Sequence, residues 1–182
     1  MIPRLIKSFG ISASLLISIF SYGGIYDYKY PNHSSESFSN YGGVGLIQMP
    51  SARMHEAGTL AFSWAKFDPY LRGSIVAYPF SWFEASYQYT DINNALYSNS
   101  PGFSGDQTYK DKGFDAKFRL FTESAYIPEI SVGARDLAGT GVFSSEFIVG
   151  SKRINNLDVT LGVGWGIMSN NSIGNPLAQI SD

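Results

Sequence analysis

The sequence predicts an all-β protein, an antiparallel up-and-down meander of about seven strands that forms part of an outer-membrane β-barrel. Three observations carry that expectation. The first is strict alternation. Phe83, Ala85, Tyr87 and Tyr89 interleave with Glu84, Ser86, Gln88 and Thr90. Phe114, Ala116, Phe118 and Leu120 interleave with Asp115, Lys117 and Arg119, and Leu157, Val159, Leu161, Val163 and Trp165 with Asp158, Thr160 and three glycines. Strand side chains point to opposite faces with a period of two, so each segment has one apolar and one polar face. The second is length: segments of roughly nine or ten residues with aromatics on the apolar face match a transmembrane β-strand. The third is the mixture of short and long connections between them, which is the spacing of a meander barrel.

The elements follow in order. Arg4 and Lys7 precede a short apolar run from Ile11 to Phe20, the pattern of a secretory signal peptide over residues 1–24, cleaved between Ser21 and Gly24. That run is too short for a spanning helix, which needs about 20 apolar residues. Residues 25–58 read as an N-terminal linker followed by a Gly-rich segment. Pro50 cannot donate to a ladder, so this segment is expected as an irregular or edge element near or inside the barrel mouth. The barrel portion covers residues 59–168, with strands at 59–64, 71–78, 82–90, 112–121, 130–135, 145–152 and 157–167. Asp68-Pro69 and Asn155-Asn156 read as turns, 91–111 as a long polar stretch, and 136–144, with Gly139 and Gly141, as another loop. In this count the short turns do not all fall on one side. The polar tail, 169–182, ends on no apolar strand. A sheet edge left open in lipid costs several kcal/mol per unpaired backbone group. The expectation is therefore that the chain is truncated from a longer barrel protein or is closed by a partner.

Composition agrees. Charged residues make up 15% of the 182 residues, against about 25% in a soluble domain. Aromatics are another 15%, with 19 glycines. The mean hydropathy of -0.06 is no objection, because barrels hide their hydrophobicity in alternation. A net charge of -2 argues against nucleic acid as a partner. With no cysteine, the chain offers no disulfide framework, no thiol nucleophile and no N-terminal lipidated cysteine.

Glu84, Asp115, Lys117, Arg119, Arg135 and Asp158 fall on polar strand faces and are predicted to face the lumen. A lipid-facing Arg or Lys near the midplane would cost about 2–4 kcal/mol. They read either as an ion-pair network that satisfies buried charge or as a charged lining that contacts glycan. Arg135-Asp136 with Gly139-Thr140-Gly141 lacks the P-loop spacing and reads as a Gly-rich hairpin connection. Glu56, Glu84, Asp68 and Asp115 carry no acid/base signature of a glycosidase pair. His33 and His55 lack metal-ligand companions, so no catalytic, cofactor or metal site is expected. Trp64, Trp82, Trp165, Tyr78, Tyr87 and Tyr89 read as interfacial girdle aromatics, with sugar stacking as the alternative.

The chain resembles the YjbH family of outer-membrane proteins linked to exopolysaccharide and capsule production. The likeness begins at Gly42-Gly43-Val44-Gly45-Leu46-Ile47-Gln48-Met49-Pro50-Ser51-Ala52-Arg53-Met54. It continues at residues 109–120 and is most specific at Gly133-Ala134-Arg135-Asp136-Leu137-Ala138-Gly139-Thr140-Gly141-Val142-Phe143-Ser144-Ser145-Glu146. Lys152-Arg153 and residues 161–166 complete it. Family members are several times longer, and many carry a lipobox cysteine that this sequence lacks. The resemblance implies a non-catalytic barrel in the Gram-negative outer membrane that assists polysaccharide secretion. Its implied partners are outer-membrane lipid, exopolysaccharide and other proteins of the secretion operon. Two other readings stay open: a structural barrel that organises a secretion complex, and a soluble extracellular glycan-binding β-sandwich.

Overall fold

A computed structural model describes residues 36–169. The predicted signal peptide, the linker before Glu36 and the tail from Asn170 onward lie outside the described residues. Two short strands, β1 (Gly45–Leu46) and β2 (Met49–Pro50), pair with each other. Seven more form one antiparallel sheet: β3 (Thr59–Phe67), β4 (Tyr70–Phe80), β5 (Phe83–Leu96), β6 (Thr108–Phe121), β7 (Glu129–Arg135), β8 (Ser145–Ile154) and β9 (Leu157–Gly164). Each pairs with its neighbours in sequence, so the sheet is the expected seven-stranded up-and-down meander, curled into a half-barrel. Among the described residues β3 and β9 are its two open edges.

Strand ends differ from the sequence reading in one region. β5 and β6 are 14 residues each and absorb much of the stretch expected as loop. Its Asn and Asp residues are poor strand formers. Here they are carried by cross-strand pairing past a bulge between Ile92 and Leu96. What remains holds one helical turn, α1 (Pro101–Ser104). β9 stops at Gly164, and a 3-10 turn (Gly166–Met168) opens at Gly166, whose φ of 71° leaves the strand region.

These corrected boundaries sort the connections by end. Residues 81–82, 122–128 and 155–156 lie at one end of the sheet, and 68–69, 97–107 and 136–144 at the other. Both long loops therefore share an end.

The faces follow from the period of two. Arg72, Ser74 and Val76 of β4, Glu84, Ser86, Gln88 and Thr90 of β5, Lys117 of β6, and Ser131 and Arg135 of β7 are buried on the concave side. The opposite face is apolar and open: Leu60 is 73% exposed, Phe62 68%, Trp64 64% and Leu161 76%. Phe62, Ile75, Tyr87 and Phe114 form one unbroken cross-strand row, the pairing that stabilises a sheet face. Lys66, Asp91, Lys110 and Lys112 stand toward the long-loop end. Along β5 the outward residues from Phe83 to Tyr89 are uncharged over about 20 Å of strand rise. One aromatic departs from the sequence reading. Tyr78 is no girdle residue: it faces inward, fully buried, with its hydroxyl on Glu84.

The core lies between the concave face and the segment 36–55. It is three small clusters rather than one: Val44, Met54, Val76 and Tyr78 with Phe38; Tyr41, Ile92 and Phe143; and Ala52, Phe147 and Val149.

Candidate functional site

The segment 36–55 lies across the concave face as a plug, and its docking surface is the candidate site. The plug folds locally on a bridge between Phe38 and Val44 and on the bond from Ser39 N to Gly43 O, 2.8 Å. Gly42 sits at a φ of 95°, in the left-handed region. A Cβ on Gly43 would run into the Glu84 carboxylate. The paired glycines thus let the plug backbone approach the strands closely.

That approach brings the plug's peptide groups within reach of buried charges. Val44 N donates to Glu84 Oε2 at 3.1 Å, and Lys117 Nζ donates to the carbonyls of Val44, Ser51 and Arg53 at 3.3, 3.3 and 2.9 Å. Lys117 Nζ and Glu84 Oε2 are 3.0 Å apart, and the Tyr78 hydroxyl donates to the same oxygen at 2.8 Å. Ala52 is held at both ends, its N–H on Ser151 Oγ (2.9 Å) and its carbonyl on Ser131 Oγ (2.8 Å). Arg135 donates to Gln48 O at 3.2 Å, and Arg72 to Asn40 O at 3.3 Å. The Tyr41 ring lies between those two guanidinium groups, 4.0 Å from Arg72 and 3.9 Å from Arg135. Both distances are well inside cation–π range.

At the short-turn end Arg53 anchors the plug. Its Nη1 is 2.6 Å from Glu123 and 2.9 Å from Glu129, and its Nε and Nη2 grip both oxygens of Asp158. Arg119 meets Glu129 at 2.6 Å, and Arg153 meets Asp158 at 3.3 Å. Burial opposes the Arg53 charge, but hydrogen bonds to Asp158, Glu123 and Glu129 outweigh it and raise its pKa. Burial also works against the Glu123 carboxylate. The Arg153 amide, Arg53 and Lys152 overcome it and hold its pKa low. Glu36 is different: burial, reinforced by Glu129, pushes its carboxyl up to about 7 against the pull of Arg119, Lys117 and Arg53. His55 lies 3.6 Å from Glu36, between the rings of Phe38 and Tyr78, and burial lowers its pKa.

All six residues read as lumen-facing are on the concave side. Glu84 and Lys117 form a pair; Arg119 and Asp158 join the Arg53 cluster; Arg135 grips the plug. Asp115 accepts the Asp136 amide at 2.9 Å and bonds the Gln88 amide group. The family-motif residues divide between plug and loop. Gly42, Gly43, Gln48, Pro50 and Arg53 belong to the plug. Asp136, at a φ of 56°, accepts the Phe143 amide on Oδ2, and a Cβ on Gly139 would strike Asp136. Gly141 takes a φ of 80°, Ser145 is buried at the start of β8, and Glu146 follows it on the opposite face. Glu56 and Asp68 are exposed, whereas Glu84 is buried. His33 falls outside the described residues. Among the described residues no group of three or more His, Asp or Glu is placed to hold a metal.

Sequence reasoning passed over Arg72, Glu123, Glu129 and Tyr41. Arg72 had a signal, since it is two residues before Ser74 on the same face. Glu129 sat one residue outside its strand as drawn. Tyr41 and Glu123 carried no periodic signal, because neither lies in a strand of the main sheet.

A small cavity under the plug is about 20 Å³, lined by Tyr41, Val44, Glu84 and Arg135 among others. That is room for a single water. The arrangement can clamp a peptide segment and stabilise buried charge, and the cavity beside Glu84 and Arg135 is too small for a sugar.

The YjbH family model, described as "Exopolysaccharide biosynthesis protein YbjH", matches residues 37–182. The curated protein "Uncharacterized lipoprotein YjbH" of Escherichia coli (strain K12) is 43% identical over 171 residues, which are 92% of this chain and 24% of that protein. The chain thus spans about a quarter of the length of that relative. No solved structure matches.

Proposed function

The chain belongs to the YjbH family of exopolysaccharide biosynthesis proteins, and on that premise we propose that it is one part of a non-catalytic outer-membrane β-barrel that supports exopolysaccharide export. The observation that carries this reading is the inversion of the two faces. A soluble half-barrel would bury its apolar face. This one buries Arg72, Glu84, Lys117 and Arg135 and leaves Leu60, Phe62, Trp64 and Leu161 outside. An exposed apolar face of this extent needs a partner phase, and a barrel wall in lipid supplies one. The sorting of both long loops to one end agrees with the short periplasmic turns and longer outer loops of such barrels. The same inversion disfavours a soluble glycan-binding sandwich. The open edges of β3 and β9 would be closed by further strands of the full-length protein, since unpaired edges are not tolerated in lipid.

The test is fractionation of cells that express the full-length protein, followed by detergent extraction and gel mobility with and without heating. An outer-membrane, heat-modifiable band is expected. A soluble periplasmic or extracellular band would overturn the reading.

A second reading is favoured by the plug. With the segment 36–55 docked on the concave face through Glu84, Lys117, Ser151 and Glu123, this part of the barrel would act as a closed scaffold in an export assembly rather than as a conduit. Planar-bilayer recordings of the full-length protein separate the two: silence across voltages and salts supports the scaffold, and steady conductance supports the conduit.

A further inference from the structure

We propose that the excursion between β5 and β6 forms a binding groove for an acidic polysaccharide chain. The proposal rests on the export reading above and adds to it a site and a ligand class.

The groove has a volume of about 580 Å³ and lies at the long-loop end of the sheet. Three of its lining rings are Tyr97, Phe103 and Tyr109. Tyr97 and Phe103 are near-parallel, 6.4 Å between centroids with 21° between planes, and Tyr109 is 6.4 Å from Tyr97 at 30°. Phe103 is 77% exposed and Tyr97 50%. Tyr97 and Phe103, held open to solvent beyond the apolar band, are not explained by the core, against which Tyr109 packs. They are also not loosely held. Tyr97 N bonds to Gln107 O at 2.9 Å, Phe103 N to Ser100 O at 3.0 Å, and Gln107 N to Ser104 O at 3.2 Å. The backbone that carries the rings is therefore already ordered, which lowers the ordering cost of binding.

The remaining lining groups decide what would lie on those rings. Gln107, Lys110 and Lys112 surround the groove. Lys110 is committed to Asp91 and Thr108. Among the described residues Lys112 has no carboxylate partner and lies 6.0 Å over the Tyr89 ring. Flat rings cover the apolar face of a pyranose, an amide and phenol hydroxyls meet its hydroxyls, and a spare cation meets a carboxylate substituent. A few polar groups set among aromatics is the general make-up of a ligand site. An anionic lipid headgroup would meet the same cation, and girdle rings meet lipid as well; the place of Tyr97 and Phe103 in the excursion past the charged residues Asp91 and Lys110 favours the glycan.

The experiment uses full-length protein in detergent with two defined probes, polygalacturonate and the neutral polymer dextran, and reads binding by titration calorimetry. Wild-type protein is expected to bind polygalacturonate in preference to dextran, and more weakly as salt rises. The double variant Tyr97→Ala/Phe103→Ala should lose at least about tenfold in affinity, which corresponds to about 1.4 kcal/mol. Lys112→Gln should lose several-fold for polygalacturonate and nothing for dextran. All variants should keep the heat-modifiable band. Failure of wild-type protein to bind polygalacturonate, or equal affinity in wild type and the double variant, would overturn the groove while leaving the barrel standing. Loss of the heat-modifiable band in wild type would instead remove the export reading itself. Variants that keep glycan affinity but shift detergent or lipid partition would assign the rings to the membrane interface.

Discussion

Lys117 and Glu84 face each other on paired strands, and together they hold both ends of one residue: Val44 N–H on Glu84 and Val44 C=O on Lys117. Lys117 alone reaches three plug carbonyls. Removing one member of a buried pair leaves the other charge uncompensated, at about 3–5 kcal/mol. Lys117→Met should therefore release the plug. Limited proteolysis between Gly42 and Met54 would show cleavage absent from wild type. The double variant with Glu84→Gln should recover part of the loss, because no bare charge remains. A double variant as labile as the single one would argue against a pairwise clamp.

Arg53 gives the second prediction. Its guanidinium spans Glu123, Glu129 and both oxygens of Asp158. An ammonium cannot reproduce that fork. Arg53→Lys keeps the charge but should destabilise docking by about 1–2 kcal/mol, the scale of charged hydrogen bonds discounted for the partial exposure of Asp158. Amide hydrogen exchange at Ser51, Ala52 and Met54 measures it, and unchanged protection would sink the idea.

Much of this architecture was legible in the chain, and the rest was not, for physical reasons. Period-two alternation gave the seven strands because each has one face in contact with a polar interior. It could not fix the ends of β5 and β6, where Asn93 and Asn94 oppose strand propensity and only cross-strand pairing decides. The polar faces could be drawn without a structure, but not their partners. Arg53 lies 76 and 105 residues from Glu129 and Asp158, a separation no local pattern encodes. The inward face of Tyr78 is not legible in its strand alone, which offers aliphatic residues on both faces, Ile75 outward and Val76 inward.

Glu36 makes plug docking depend on pH. Burial, with Glu129 beside it, raises its carboxyl from the usual 4.5 to about 7. The docked state then binds more protons than the released state between these values, so docking weakens as pH rises through that window and is strongest at its acid end. His55 has the opposite sign. Its lowered pKa costs docking stability as pH falls below its ordinary 6.5. Glu36→Gln removes the first contribution only. At pH 8 it should dock more tightly than wild type, and its protection factors, corrected for the intrinsic rise of amide exchange with pH, should not fall between pH 5 and 7. A wild-type plug whose protection is flat across that window, with Glu36→Gln identical to it, would exclude the mechanism.

The outward face supplies the sharpest test of the membrane reading. Phe62 is 68% exposed at the β3 end of an apolar cross-strand row, and Ile47 is 75% exposed at the turn of the plug. For a protein in water, arginine at either position should be close to neutral, since surface substitutions usually lie within about 0.5 kcal/mol. In a bilayer the two sites diverge. Phe62→Arg puts a cation against lipid at about 2–4 kcal/mol, while Ile47→Arg stays on the plug, clear of the lipid-facing wall. The expected result is a diminished heat-modifiable band and reduced outer-membrane yield for Phe62→Arg, with Ile47→Arg unchanged. Equal behaviour of the two variants would mean that the apolar face meets something other than lipid.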